Sequence, residues 1–204
     1  MSDLVDIPEP LATQVTNAYL AQLTNRDLSQ PLMLVTFSGT PGCGKTTLAN
    51  HLAADLHAQC LQSDALREMI RSFGSDPAQI SMPSLSDRII QEVIKHDRNQ
   101  LFIIDASMDR VWQFYLKHVK RLGALSFIIR FDMPPVVIRR RMSQRNRHDD
   151  QDLLAQFDTF WQQFEDCRRN LPADITLGEA YDYDDVLERV RAAVAKAPTL
   201  QSKQ

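Results

Sequence analysis

The chain has little of what special environments demand. Its 204 residues include only three cysteines, Cys43, Cys60 and Cys167, far apart and without a C-x-x-C or a Cys/His ligand spacing. Neither a disulfide framework nor a zinc site is indicated, and a reducing, cytoplasmic setting is the expectation. No apolar run approaches the roughly 18 to 20 residues that span a bilayer, so no membrane contact is expected. The first residues, Met1 to Asp6, carry acid where a leader segment would carry base, and no signal peptide is read there. Glycine is scarce at six residues beside ten prolines, which excludes collagenous and low-complexity chains, while 44% hydrophobic and 24% charged residues describe an ordinary globular protein. Charge of one sign is scarce too. A net charge of -3 argues against a protein built mainly to coat nucleic acid, though it leaves a local basic groove open. One domain with room for an appendage fits this length.

Three of the six glycines fall within Gly39-Thr40-Pro41-Gly42-Cys43-Gly44-Lys45-Thr46, which matches G-x-x-x-x-G-K-[ST] at every fixed position. The strand-like run Leu32 to Phe37 precedes it and the helix-like run Thr47 to Leu56 comes after it. In that setting the segment reads as a phosphate-binding loop, because glycines without Cβ atoms let backbone N–H groups close on phosphate oxygens. Lys45 can reach the terminal phosphates and Thr46 offers a hydroxyl to Mg²⁺, while the helix starting near Gly44 aims its unpaired N–H groups at the anion. Gly39 through Thr47 are the candidate nucleotide contacts, with ATP and Mg²⁺ as the implied cofactors.

Short apolar runs alternate with helical patterns along nearly the whole chain, the signature of a parallel sheet covered by helices on both faces. The expected strands are Leu32 to Phe37, Ala58 to Gln62, Leu101 to Asp105, Leu125 to Phe131 and Ala173 to Leu177. Leu101-Phe102-Ile103-Ile104 and Phe127-Ile128-Ile129 are apolar without alternation and should be central. Residues 1–30 read as an amphipathic helical extension with Leu11, Val15, Ala18, Tyr19 and Leu23 on one face, serving either as a brace or as a partner-binding element. Residues 31–197 form the nucleotide domain, and 198–204 are a tail expected to fray.

Ligands of open α/β sheets gather at the carboxyl ends of the strands, so residues just beyond each strand are weighed first. After the second strand come Asp64 and, one helical turn on, Arg67. Asp64 can accept the proton of an acceptor hydroxyl or can cap its helix. Asp105 closes the third strand, where a carboxylate holds Mg²⁺ opposite the loop threonine, or instead caps the next helix or turn. Arg110 either contacts the acceptor or pairs with Asp109 or a neighbouring carboxylate. Five arginines lie between Arg139 and Arg147. Arg141 and Arg145 share a helix face, and their mutual repulsion points to an anion between them, so Arg141, Arg145 and Arg147 are assigned to the nucleotide and Arg139 and Arg140 to solvent. Leu153, Phe157, Phe160, Trp161 and Phe164 recur at helical spacing and read as core.

With these segments placed in order, the chain from Pro31 to Ala197 resembles the adenylate-kinase-like P-loop small kinases. The branch it looks like takes in the AAA_33, polynucleotide 5′-hydroxyl kinase, zeta-toxin and chloramphenicol phosphotransferase types. The resemblance implies a P-loop NTPase three-layer sandwich, with a parallel five-stranded sheet of order 2-3-1-4-5 and a short lid at about Asn146 to Asp152. It also implies Asp64 as base, Arg67 as a substrate contact, and Arg141 and Arg145 on the helix leading to a lid that carries Arg147. The catalytic set is then Lys45, Asp64, Arg141 and Arg145, the acceptor contacts Asp64, Arg67 and Arg110, and the metal ligands Thr46 and Asp105. The leading expectation is transfer of the ATP γ-phosphate to a hydroxyl of a small molecule or nucleoside. A polynucleotide 5′ end ranks below it, since the segment from Leu66 to Asp97 mixes its few bases with several acids. A nucleotide-dependent regulator that phosphorylates nothing is the alternative of another class. No N-K-x-D motif supports a GTPase switch, and the chain lacks the length for the helical lid domain of an AAA-type motor.

Overall fold

A computed structural model describes residues 7–22, 32–96, 101–145 and 150–197. Leu23, Arg147 and the tail 198–204 lie outside them, as do residues 146–149 of the expected lid. Helix α1 (Glu9–Leu20) precedes strand β1 (Met33–Ser38), α2 (Lys45–Asp55), β2 (Gln59–Gln62), α3 (Ser63–Ser72) and α4 (Met82–His96). Then come β3 (Leu101–Ser107), α5 (Trp112–Leu122), β4 (Leu125–Phe131), α6 (Pro135–Arg145), α7 (Asp150–Ala155), α8 (Phe157–Asn170), β5 (Ile175–Leu177) and α9 (Tyr183–Lys196). The strands form one five-stranded sheet in the order β2-β3-β1-β4-β5, with every pair parallel. This is the P-loop NTPase fold, and the expected sheet order holds.

Strand periodicity sorts the core into two layers. Met33, Val35 and Phe37 of β1 point to one face with Leu48 and Leu52 of α2 and Val186 and Val190 of α9. Leu34 of β1 and Phe102 of β3 point to the other, with Leu66 and Ile70 of α3, Leu85 and Ile89 of α4 and Tyr115 of α5. All six residues of β1 are buried, as a strand with neighbours on both edges and helices on both faces requires.

Helix α1 buries Leu11, Ala12, Val15, Thr16 and Tyr19 and packs on α3 and α4. The Tyr19 hydroxyl donates to the Cys60 carbonyl at 3.2 Å, and Arg88 of α4 pairs with Glu9 and bonds Thr13 Oγ1 at 3.1 Å. Among the described residues no helix is long and apolar enough to cross a membrane.

Two local departures from the expected pattern bear on the phosphate loop and its lid. Strand β3 runs two residues past Asp105, and its ladder with β1 jumps from Thr36–Ile104 to Phe37–Ser107. Asp105 keeps its β2 partner Gln62 but none on β1, so the bulge frees it toward the mouth of the phosphate loop. The expected lid ends in helix, since Asp150 to Asp152 lie in the first turn of α7.

Candidate active site

The loop between β1 and α2 owes its shape to glycine. Gly42 has φ +85° and Gly44, the residue before α2, has φ +109°, angles that cost side-chain-bearing residues about 1–2 kcal/mol. A Cβ on Gly42 would lie 2.5 Å from Met142 Cγ, so the loop is clamped against α6. Lys45 Nζ donates to the Gly39 carbonyl at 2.7 Å and the Thr40 carbonyl at 2.8 Å, and approaches Cys43 Sγ at 3.5 Å. The ammonium therefore lies over the loop where phosphates would sit. Cys43 is buried, and burial pushes its thiol pKa up while Lys45 opposes the shift; it packs the loop as a neutral thiol.

At the first turn of α2, the Thr46 hydroxyl donates to Asp105 Oδ1 at 3.2 Å. Burial raises the Asp105 pKa, the Thr46 hydrogen bond and Lys45 lower it, and Asp64 raises it further. A half-buried carboxylate and a hydroxyl form an all-oxygen pair suited to a hard cation that takes its other ligands from phosphate and water, so these residues fit Mg²⁺. Among the described residues no cluster of three or more His, Cys, Asp or Glu side chains could hold a metal without such help.

Asp64 stands on the first turn of α3, three-quarters exposed, and accepts from Arg67 Nη1 at 2.7 Å. Gln62 is the residue before α3, and no side-chain capping bond is made there. Arg110 lies 5.8 Å over the Phe160 ring instead of bonding Asp109. Burial lowers its pKa first and Arg67 second, with Asp109 opposing. The structure thus gathers Lys45, Thr46, Asp105, Asp64, Arg67 and Arg110 at the carboxyl end of the sheet.

Asp109 itself is the residue that the sequence reading missed. Its Oδ2 accepts from the Gly39 backbone N–H at 2.9 Å and from the Ser107 hydroxyl at 2.8 Å, tying β3 to the start of the phosphate loop. The only sequence signal was an acid two residues past an apolar strand, which reads equally as an ion-pair partner for Arg110.

The arginines of α6 have protein partners. Arg141 reaches Met133 Sδ at 3.2 Å and the Glu179 carbonyl at 3.4 Å, and Arg145 Nε donates to Asp150 at 2.5 Å. Arg139 lies 4.2 Å over the Phe157 ring and bonds Asp158, and Arg140 bonds Glu179 at 3.1 Å. The aromatic stripe divides: Phe157 and Phe164 are core, whereas Phe160 faces Arg110.

The AAA_33 family model, described as an AAA domain, matches residues 34–167, from β1 to α8. The chain belongs to this AAA domain family. No curated protein sequence matches this AAA domain protein. Its fold is that of P-loop small kinases among the solved structures. Shikimate kinase from Bacteroides thetaiotaomicron is 16% identical, with 80% of this chain and 99% of that chain covered and a TM-score of 0.52. The Mycobacterium tuberculosis APS kinase in complex with AMPPNP and APS is 19% identical, covering 81% of this chain and 99% of that one, with a TM-score of 0.55. A gluconokinase from Sinorhizobium meliloti is 17% identical, covering 82% and 93%, with a TM-score of 0.50.

Proposed function

We propose that this protein is a phosphotransferase that moves the γ-phosphate of ATP to a hydroxyl group of a small molecule. One observation carries the reading. Asp64, three-quarters exposed on the first turn of α3, comes two residues after Gln62 of β2, the sheet partner of Asp105, so a solvent-accessible carboxylate adjoins the place where phosphate and metal would meet. The kinase structures that share the fold support it, one of them a complex with AMPPNP and APS.

In the proposed reaction the acceptor oxygen attacks the γ-phosphorus, the bond to the β–γ bridging oxygen breaks, and the hydroxyl proton passes to Asp64. Arg67 holds the carboxylate in place at 2.7 Å. Lys45 would exchange its two loop carbonyls for phosphate oxygens, and Arg141 and Arg145 would close from α6 on the charge that builds as the phosphoryl group moves. Thr46 and Asp105 would hold Mg²⁺, which when bound neutralises charge on the phosphates.

The test is a screen with labelled ATP over sugars, nucleosides, hydroxy acids, aminoglycosides and 5′-hydroxyl oligonucleotides, with Asp64→Asn as the control. The variant should keep its Mg·ATP affinity and lose about 10²- to 10⁴-fold in transfer, the range for a missing general base. Unchanged turnover removes Asp64 from the chemistry. Mg·ATP binding with no labelled acceptor in any class would instead favour a nucleotide-binding regulator.

A further inference from the structure

Beside the phosphate loop lies a cavity of about 40 Å³ lined by Thr40 of the loop, Ser107, Asp109 and Arg110 after β3, and Phe160 and Gln163 of α8. Three of the lining residues each carry a buried oxygen without a partner. Among the described residues, Thr40 Oγ1, Asp109 Oδ1 and Gln163 Oε1 have no hydrogen-bond partner, and Thr40 and Asp109 are only 2% and 5% exposed. Native interiors leave few such atoms, and each calls for a ligand, a water or a role. The Asp109 case is pointed, because its other oxygen is fully used by Gly39 N–H and Ser107. The volume suits two or three groups of about the size of water or hydroxyl.

The lining decides which chemistry fits. Asp109 Oδ1 and Gln163 Oε1 can only accept, Thr40 can do either, and Arg110 can only donate. An ammonium group or a metal cation would satisfy the oxygens but would face the Arg110 guanidinium in the same lining. A bare anion would satisfy Arg110 and face Asp109. A hydroxyl donates and accepts at once, so a run of hydroxyls serves all four groups without adding charge. The cavity also has the right neighbours: Thr40 lends its carbonyl to Lys45, and Arg110 adjoins Arg67, which holds Asp64.

We propose that this cavity is a subsite for hydroxyl groups of the phosphoryl acceptor next to the one that reacts, so that the substrate class is a polyol or sugar-like molecule. The inference rests on the phosphotransferase reading and narrows its acceptor. Gln163 and Asp109 are then specificity residues, with Asp109 serving the loop through its second oxygen.

The test is the melting temperature of the full chain saturated with Mg·AMPPNP, with millimolar sorbitol, gluconate, glucose or ribose added, and with 1-propanol, 3-aminopropanol and potassium chloride as contrasting probes. At least one polyhydroxy probe should raise the melting temperature by about 2 °C or more, while the contrasting probes should not. Gln163→Met removes one partnerless oxygen at similar volume. The ligand-free variant should melt about 2–4 °C above the wild type and lose the polyol response. A nucleotide shift with no polyol shift overturns the subsite and leaves the cavity to ordered water. A response to the amine or to potassium overturns the hydroxyl assignment, and a Gln163→Met variant that melts lower yet keeps the polyol response overturns the role of Gln163. Absence of the Mg·AMPPNP shift itself would sink the phosphotransferase reading, and this inference with it.

Discussion

Gly42→Ala is the substitution whose cost the structure specifies most fully. At φ +85° the new methyl group would carry the left-handed penalty of about 1–2 kcal/mol. It would also stand 2.5 Å from Met142 Cγ, 3.2 Å from Met142 Sδ and 3.4 Å from Ile138 Cγ2. Met142 and Ile138 are fully buried on α6, so the clash must force the Met142 side chain out of its packed position or move the helix that carries it, which overpacking data put at about 1–3 kcal/mol more. The combined loss of roughly 2–5 kcal/mol corresponds to a fall in melting temperature of roughly 4–20 °C for a chain of this size. Calorimetry on Gly42→Ala, Met142→Ala and the double variant separates the two parts. In the Met142→Ala background the clash is gone, and the glycine substitution should cost only the dihedral part, giving a coupling energy of about 1–3 kcal/mol. Equal costs in both backgrounds would refute the claim that α6 clamps the loop. A cost below about 1 kcal/mol in the wild type would refute the strain as well.

Asp105→Asn should leave the ligand-free protein as stable as the wild type or more so at about pH 7, because a raised folded pKa means that ionisation there is unfavourable. Carboxylate stability of that sign is present below the unfolded pKa and lost as pH rises through the folded one, so the difference should vanish at about pH 3; thermal melts against pH read it, and Mg²⁺-dependent transfer should fall. Asp87→Ala should cost about 1–3 kcal/mol in urea unfolding at neutral pH, since the carboxylate pairs with buried His118 at 2.5 Å and with Arg121. Burial alone would raise the Asp87 pKa, yet bonds and charges from His118 and Arg121 lower it on balance, so this contribution should be present above the usual carboxylate pKa and fade as pH falls through the lowered one. Arg145→Ala should both slow transfer and cost about 1–3 kcal/mol of stability, because Asp150 is only 5% exposed and loses its guanidinium.

The strands were legible because a central parallel strand needs apolar residues on both faces, and β3 and β4 announce themselves by the unbroken runs Leu101 to Ile104 and Phe127 to Ile129. The edge strand β5 was less so. Its ladder begins only at Ile175, while Asp174 before it turns its carboxylate to the Ile128 N–H at 2.7 Å. The phosphate loop was legible down to single residues, since each fixed position of the motif has a geometric reason. The β3 bulge was not, because nothing in Ile104-Asp105-Ala106-Ser107 distinguishes a strand that keeps its register from one that shifts by two residues. Asp109 stayed hidden for the same reason: its worth lies in a bond to Gly39, seventy residues earlier.

The arginine run shows where local charge reasoning stops. Five like charges in nine residues imply a counter-ion, and the sequence alone pointed to nucleotide. In the folded chain, acids downstream supply partners to each described arginine of α6: Asp158 to Arg139, Glu179 to Arg140 and Arg141, and Asp150, five residues on, to Arg145. Repulsion along α6 is therefore already relieved, and binding a triphosphate there means exchanging partners, not filling a void. The two nucleotide candidates differ in what that exchange costs. Arg141 gives up a Glu179 carboxylate at 3.8 Å and a carbonyl at 3.4 Å, contacts at or beyond the edge of hydrogen bonding. Arg145 gives up a 2.5 Å bond to a buried carboxylate, which would then need its other contacts to hold it. Arg141 is the arginine that a phosphate group can redirect cheaply, whereas Arg145 must first release the bond that fixes the start of α7 before it can close on the same charge.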